Sequence, residues 1–294
     1  MGTAFESGDL FLAATDVDDR QVDLRHHVGP GRILHYDRDL RLKGALFTGE
    51  IGLVVGLAID PRDRCLYACD PSSQTITRFT ADGERAGRLE LWPKARIGAL
   101  LLRPDGRFVA GLHSKIGEPP ERPMPRLFVG RLSGTPSDVE GLAVEIDGGK
   151  FGFHCVTHLS LGPDGRTLYY VSEGGRRLMR YDLEERRQLP DLLVFDPDDP
   201  RGTYGPAVLA DGEVLMATGI GAVRIDTRGT VVRRYDVPER RGWSRLSLAL
   251  DGASFYLSNF IDGVLEHRDI ETGKLLRTHD IGRKYCLAGL AEMY

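Results

Sequence analysis

No stretch of the sequence approaches the roughly 18 uninterrupted apolar residues of a membrane-spanning helix, so none is expected. The opening residues, Met1 to Asp9, carry neither a charged n-region nor an apolar h-region, so no secretory leader is expected. Cysteine is scarce, with 4 in 294 residues. Cys65 and Cys69 stand on one extended segment, about 13 Å apart at ~3.3 Å per residue, too far for a disulfide. Cys155 and Cys286 fall in different repeats. Free thiols in a reducing, cytoplasmic compartment are expected. Charge of one sign is nowhere concentrated: 39 Lys and Arg stand against 43 Asp and Glu, a net charge of −4. Neither a nucleic-acid nor a membrane partner is expected from such a balance. Helical periodicity of useful length is missing as well.

What is present is a repeat. A short apolar strand, a turn built on Pro-Asp-Gly or a relative, and a second apolar strand recur along the chain. The phrase runs from Gly56 to Tyr67, from Ala99 to Val109, from His158 to Tyr169, from Gly205 to Leu215 and from Arg245 to Tyr256. Leu57, Leu100, Leu159, Pro206 and Leu246 are equivalent positions, about 40 to 60 residues apart, the period of propeller blades. A third and a fourth strand follow each phrase, such as Arg177–Asp182 and Asp191–Phe195, or Thr75–Phe79 and Arg88–Leu91. Short strands rich in β-branched and aromatic residues, punctuated by Gly and Asp, argue an all-β meander.

The chain ends set the number of blades. Asp9 to Ala14 reads as a second strand with no first strand before it. Near the other end, Gly289-Leu-Ala291 matches the first-strand start Gly56-Leu-Ala58, and no second strand follows. Five full units and one split unit predict a six-bladed β-propeller of four-stranded antiparallel blades, a single domain over 1–294. The C-terminal strand closes the first blade and removes two sheet edges.

Function in such a fold sits on the loops at one mouth of the axial channel. The repeat places His158 and Arg245 at the start of innermost strands, with Tyr204 one residue earlier in its own repeat. His154, Trp243 and Tyr285 lie further out, and His113, Glu173 and Asn259 end second strands. His154, His158, Tyr204 and Glu173 are the candidate catalytic groups, able to move protons. Arg245, Trp243, His113, Asn259 and Tyr285 are the candidate substrate-binding groups. The two histidines could instead be a hydrogen-bonded structural pair, and Arg245 could bridge blades through a carboxylate rather than hold an anion. Two long loops, Asp16 to Gly31 and His113 to Pro125, are expected to cover this mouth. The acidic run Asp16 to Asp19 lacks the glycine and terminal glutamate of an EF-hand and reads as a solvated loop.

Through Pro163-Asp-Gly-Arg-Thr-Leu-Tyr169 and Leu178-Met-Arg-Tyr-Asp182, the chain resembles the gluconolactonase, strictosidine-synthase-like and NHL-repeat six-bladed propellers. The resemblance implies one divalent cation held in the channel by a Glu, an Asn and an Asp. The Asn and Asp positions correspond to Thr157 and Tyr204 here, and no glutamate opens the C-terminal strand, so no metal ligands are assigned. The expectation is an enzyme of hydrolase or lyase type acting on a small polar or anionic metabolite. The alternative is a propeller that binds a ligand or protein without catalysis.

Overall fold

The computed structural model describes residues 2–14, 30–89, 91, 94–113, 125–133, 138–148, 154–238 and 240–294. Most of the two long loops, and with them Asp16 to Asp19, lie outside these residues. The described residues form 24 strands in six four-stranded antiparallel sheets, with no α-helix among them. Blade 1 comprises Leu10–Ala14, Pro30–Tyr36 and Leu42–Ile51, with Gly289–Glu292 added as its innermost strand. The innermost strands of blades 2 to 6 are Gly56–Ile59, Ile97–Leu102, His158–Leu161, Pro206–Val208 and Trp243–Leu248. Each touches the next around the axis, and Gly289–Glu292 touches both Trp243–Leu248 and Gly56–Ile59, so the ring is closed.

The period-2 geometry of a strand explains the closure energetically. Alternate side chains point to opposite faces of a sheet, and in a propeller both faces meet a neighbouring blade. In Leu10–Ala14, Leu10 and Leu12 pack toward blade 6 with Leu265 and Leu290. Phe11 and Ala13 pack toward blade 2 with Leu57 and Phe79. Six such apolar clusters form, one between each successive pair of blades. Burying a large apolar side chain contributes about 1.5–3 kcal/mol, so stability is distributed around the ring rather than held in one centre.

The recurrent Asp-Gly turn is structural. Asp164 Oδ1 accepts from the backbone N–H groups of Arg166 (3.0 Å) and Thr167 (2.9 Å). Asp251 does the same for Ala253 (2.8 Å) and Ser254 (2.9 Å). Such turns give these aspartates a folding reason to be present.

Two outer strands differ from the sequence reading. The fourth strand of blade 2 is Arg85–Arg88, upstream of the expected Arg88–Leu91, and that of blade 4 is Arg187–Val194. Leu89 and Leu91 instead pack into the cluster between blades 2 and 3. An outermost strand has one hydrogen-bonding neighbour, so the apolar pattern there marks inter-blade packing rather than the strand itself.

Candidate functional site

Arg245 is aimed by an irregularity in its strand. At ideal alternation Trp243 and Arg245 would share one face. The register between Trp243–Leu248 and Ser254–Asn259 shifts between Trp243 and Arg245. A bulge of this kind re-aims side chains. Trp243 enters the core between blades 5 and 6, fully buried. Arg245 turns to the axis, where its electrostatic neighbours are Cys69 of blade 2 and His158 of blade 4. Neither blade adjoins blade 6, so only the channel brings these groups together.

The Arg245 guanidinium is poorly satisfied. Its Nε is buried without a hydrogen-bond partner, and it makes no ion pair among the described residues. Desolvation pushes its pKa down to about 10, partly offset by Cys69. It therefore remains charged at neutral pH, and a desolvated cation with no carboxylate beside it among the described residues attracts an anion.

His158 begins the innermost strand of blade 4, opposite Val171. Its Nδ1 lies 3.1 Å from Thr157 Oγ1. Burial first, then the nearby Arg245 and His113, hold its pKa well below the ordinary histidine value, so the imidazole is neutral. His113 follows the second strand of blade 3. Its backbone N–H donates to the Arg96 carbonyl at 2.6 Å, and its ring packs over Gly98, where a Cβ would come within 2.8 Å of Cδ2. Burial pushes its pKa down to about 4.

Glu173 and Tyr204 form a second group, where blades 4 and 5 meet. Gly174 N–H donates to Thr203 O (3.1 Å) and Thr203 N–H to Gly175 O (2.7 Å), which ties the loop between the second and third strands of blade 4 to the start of blade 5. Glu173 makes no hydrogen bond or ion pair to a described residue. It stays partly accessible, while the surrounding protein desolvates its carboxyl and pushes its pKa up to about 7. Burial, and then Glu173, raise the Tyr204 phenol above its usual pKa, so it keeps its proton. The Tyr204 ring lies against Gly219, where φ is +80° and a Cβ would stand 2.7 Å from Cε2. Glycine is required there by both conformation and contact.

The structure therefore brings His113, His158 and Arg245 together, and Glu173 with Tyr204. Three other candidates make contacts away from these two groups. Trp243 is a core residue, its indole N–H donating to Pro238 O at 3.3 Å; its apolar bulk was drawn into the blade interface by the bulge. Asn259 is fully buried, donating from Nδ2 to Arg241 O (3.0 Å) and accepting the Asp262 N–H on Oδ1 (3.0 Å). Its amide joins two loops, the one before Trp243–Leu248 and the one after Ser254–Asn259. Asn259→Ala is expected to cost about 1–3 kcal/mol in urea denaturation while ligand affinity holds. Lost affinity at unchanged stability would return Asn259 to the ligand site. Tyr285 packs edge-on to Phe260, with centroids 6.2 Å apart. His154 is half-buried, its ring over Gly148, where a Cβ would approach Cε1 to 2.4 Å. The electrostatic neighbours of His158 are Arg245 and His113, not His154.

Two participants were not assigned from sequence. Cys69 lies beside Arg245, and Thr157 holds the His158 ring. The Thr157-His158 pairing at the start of an innermost strand was the available signal.

The donors present do not fit the divalent cation of the resemblance. The Thr157 hydroxyl is engaged by Val171 O (3.2 Å) and His158, the Tyr204 phenol is held protonated, and a guanidinium neighbours His158. Among the described residues no three His, Cys, Asp or Glu side chains gather closely enough to hold a metal.

The fold is a six-bladed propeller in which the guanidinium of Arg245 and the imidazole of His113 act on His158. The family model described as SMP-30/Gluconolactonase/LRE-like region matches residues 86–247, more than half the sequence, and the chain belongs to that family. No match was found among curated proteins. Among solved structures the chain is similar to one in a nidogen/laminin complex, at 14% identity and a TM-score of 0.68, covering 96% of this chain and 97% of that one. It is also similar to a gluconolactonase from Xanthomonas campestris, at 16% identity and a TM-score of 0.61, covering 87% and 85%. At these identities the likeness is one of fold.

Proposed function

We propose that the chain is a hydrolase-type enzyme acting on a small polar or anionic metabolite in the axial channel. In this reading it keeps a gluconolactonase-like fold without that group's usual metal ligands. The observation that carries the reading is the Arg245 guanidinium, desolvated, with a buried Nε that has no hydrogen-bond partner, and acting on groups of blades 2 and 4. Lactone opening is the reaction that family membership favours. As the water oxygen bonds to the carbonyl carbon, its proton passes to the Glu173 carboxylate. The bond from that carbon to the ring oxygen then breaks, and the ring oxygen takes the proton back from Glu173. Arg245 holds the oxyanion and then the product carboxylate, and Tyr204 donates a hydrogen bond. A preorganised cation in a water-poor site is well suited to developing negative charge. Four free, buried cysteines support the accompanying proposal of a cytoplasmic location.

The test is turnover of a lactone panel, followed by proton release. Glu173→Gln is expected to lower turnover about 100-fold or more. Wild-type turnover should rise with pH through about 7, where the Glu173 carboxyl loses its proton. The stability sign is opposite. A carboxyl with a raised folded pKa contributes stability below its unfolded value, and that contribution is lost as pH rises through about 7. Glu173→Gln should therefore flatten the fall in melting temperature across that interval. Tight binding of small carboxylates without turnover of any panel member would favour the non-catalytic binding propeller.

A further inference from the structure

A neutral imidazole carries one proton, and its position decides whether His158 offers the channel a donor or an acceptor. The bonds around Thr157 assign it. Thr157 has a single hydroxyl proton, and Oγ1 lies 3.2 Å from the Val171 carbonyl, which can only accept. With that proton given to the carbonyl, the Oγ1 lone pair faces His158 Nδ1 at 3.1 Å and receives Nδ1–H. The other ring nitrogen, Nε2, makes no hydrogen bond to a described residue, and it is not among the buried polar atoms left without a partner. Channel solvent or ligand therefore reaches it.

Electrostatics favour the same arrangement. The charged or titratable groups acting on His158 are Arg245 and His113, and His113 is itself neutral near pH 7. Beside a guanidinium, a ring lone pair is stabilised and an N–H dipole is not. Thr157 stands where the resemblance implied a metal-ligating asparagine.

We infer that Thr157 is a positioning residue whose hydroxyl fixes His158 as the Nδ1–H tautomer, so that Nε2 presents a hydrogen-bond acceptor to an O–H beside the Arg245 guanidinium. This role rests on the channel being the ligand site. An imidazole flanked by a cation is a weak base, so His158 accepts a hydrogen bond from a ligand O–H rather than taking its proton.

The tautomer can be measured without any ligand. Two-bond nitrogen–proton NMR correlation spectra of the full, histidine-labelled chain report which ring nitrogen is protonated. The His158 signals are identified by their loss in His158→Gln. The expected pattern is protonated Nδ1 with pyridine-like Nε2, retained in Thr157→Ser and shifted toward Nε2–H in Thr157→Val. Turnover should fall about fivefold in Thr157→Val and be restored in Thr157→Ser, the size expected of one hydrogen bond. An Nε2–H pattern in the wild type would overturn the inference, as would an unchanged spectrum in Thr157→Val. Should Thr157→Val fail to fold, the wild-type spectrum still decides. The expected tautomer in a chain that turns over and binds no small carboxylate or lactone would uphold the Thr157 assignment while refuting the proposed enzyme.

Discussion

Ending the chain after Lys284 is expected to leave no soluble, cooperatively folding protein. The deletion removes Gly289–Glu292, which pairs with Leu10–Ala14 through Leu12↔Leu290 and Leu10↔Glu292. It also removes Cys286, Leu287, Leu290 and Met293, all at most 2% exposed. Leu287 and Leu290 belong to the cluster joining blades 6 and 1, and Met293 to the one joining blades 1 and 2. At about 1.5–3 kcal/mol per large apolar side chain, the lost burial rivals a typical net stability of roughly 5–15 kcal/mol. The edge of Leu10–Ala14 that pairs with the deleted strand would be exposed, inviting association. Size-exclusion chromatography and a thermal melt of the truncated chain are the measurements. A monomer with an unchanged transition would mean that this strand does not close the ring. Leu290→Asp is the complementary point variant, placing a charge in the same cluster at full length.

The ring was legible because each blade repeats one local pattern, and because an orphan second strand at Leu10–Ala14 needed the orphan first strand at Gly289–Glu292. Both are properties of apolar spacing, which survives drift in side-chain identity. The outer strands were less legible. Arg85–Arg88 has no buried residue, so no apolar alternation marks it, and the adjacent leucines advertise a blade interface instead.

The site was legible as positions rather than as roles. Counting along the repeat put His158, Glu173, Tyr204 and Arg245 at one mouth. The same counting could not separate Arg245 from Trp243, because a residue spacing of two implies a shared face and the intervening bulge carries no sequence signature here. Asn259 shows the other limit. A polar residue ending a second strand can serve a ligand or its own loop, and only the two amide hydrogen bonds distinguish them. The sequence marks Cys69 only as a free thiol, and its place beside Arg245 depends on the approach of blades 2 and 6, which no local pattern encodes.

Arg245→Met should separate ligand binding from stability in opposite directions. Methionine keeps most of the side-chain length and removes the charge. In the free protein the guanidinium is desolvated, with Nε lacking a partner and no carboxylate beside it among the described residues. Because its folded pKa is depressed to about 10, the cation costs stability at every pH below that value. The cost is relieved only as pH rises through about 10 toward the unfolded value. Replacing it should therefore leave the melting temperature unchanged or higher at neutral pH, since an apolar side chain suits the site better than an unpaired charge. Binding should move the other way. Losing a desolvated, charge-assisted contact costs about 2–5 kcal/mol, a fall of roughly 30-fold to several thousand-fold in affinity for small carboxylates. Calorimetric titration beside a thermal melt reads both quantities on one preparation. A variant that binds carboxylates as tightly as wild type would remove Arg245 from the site. A variant that melts far lower would instead make the guanidinium a structural bridge between blades.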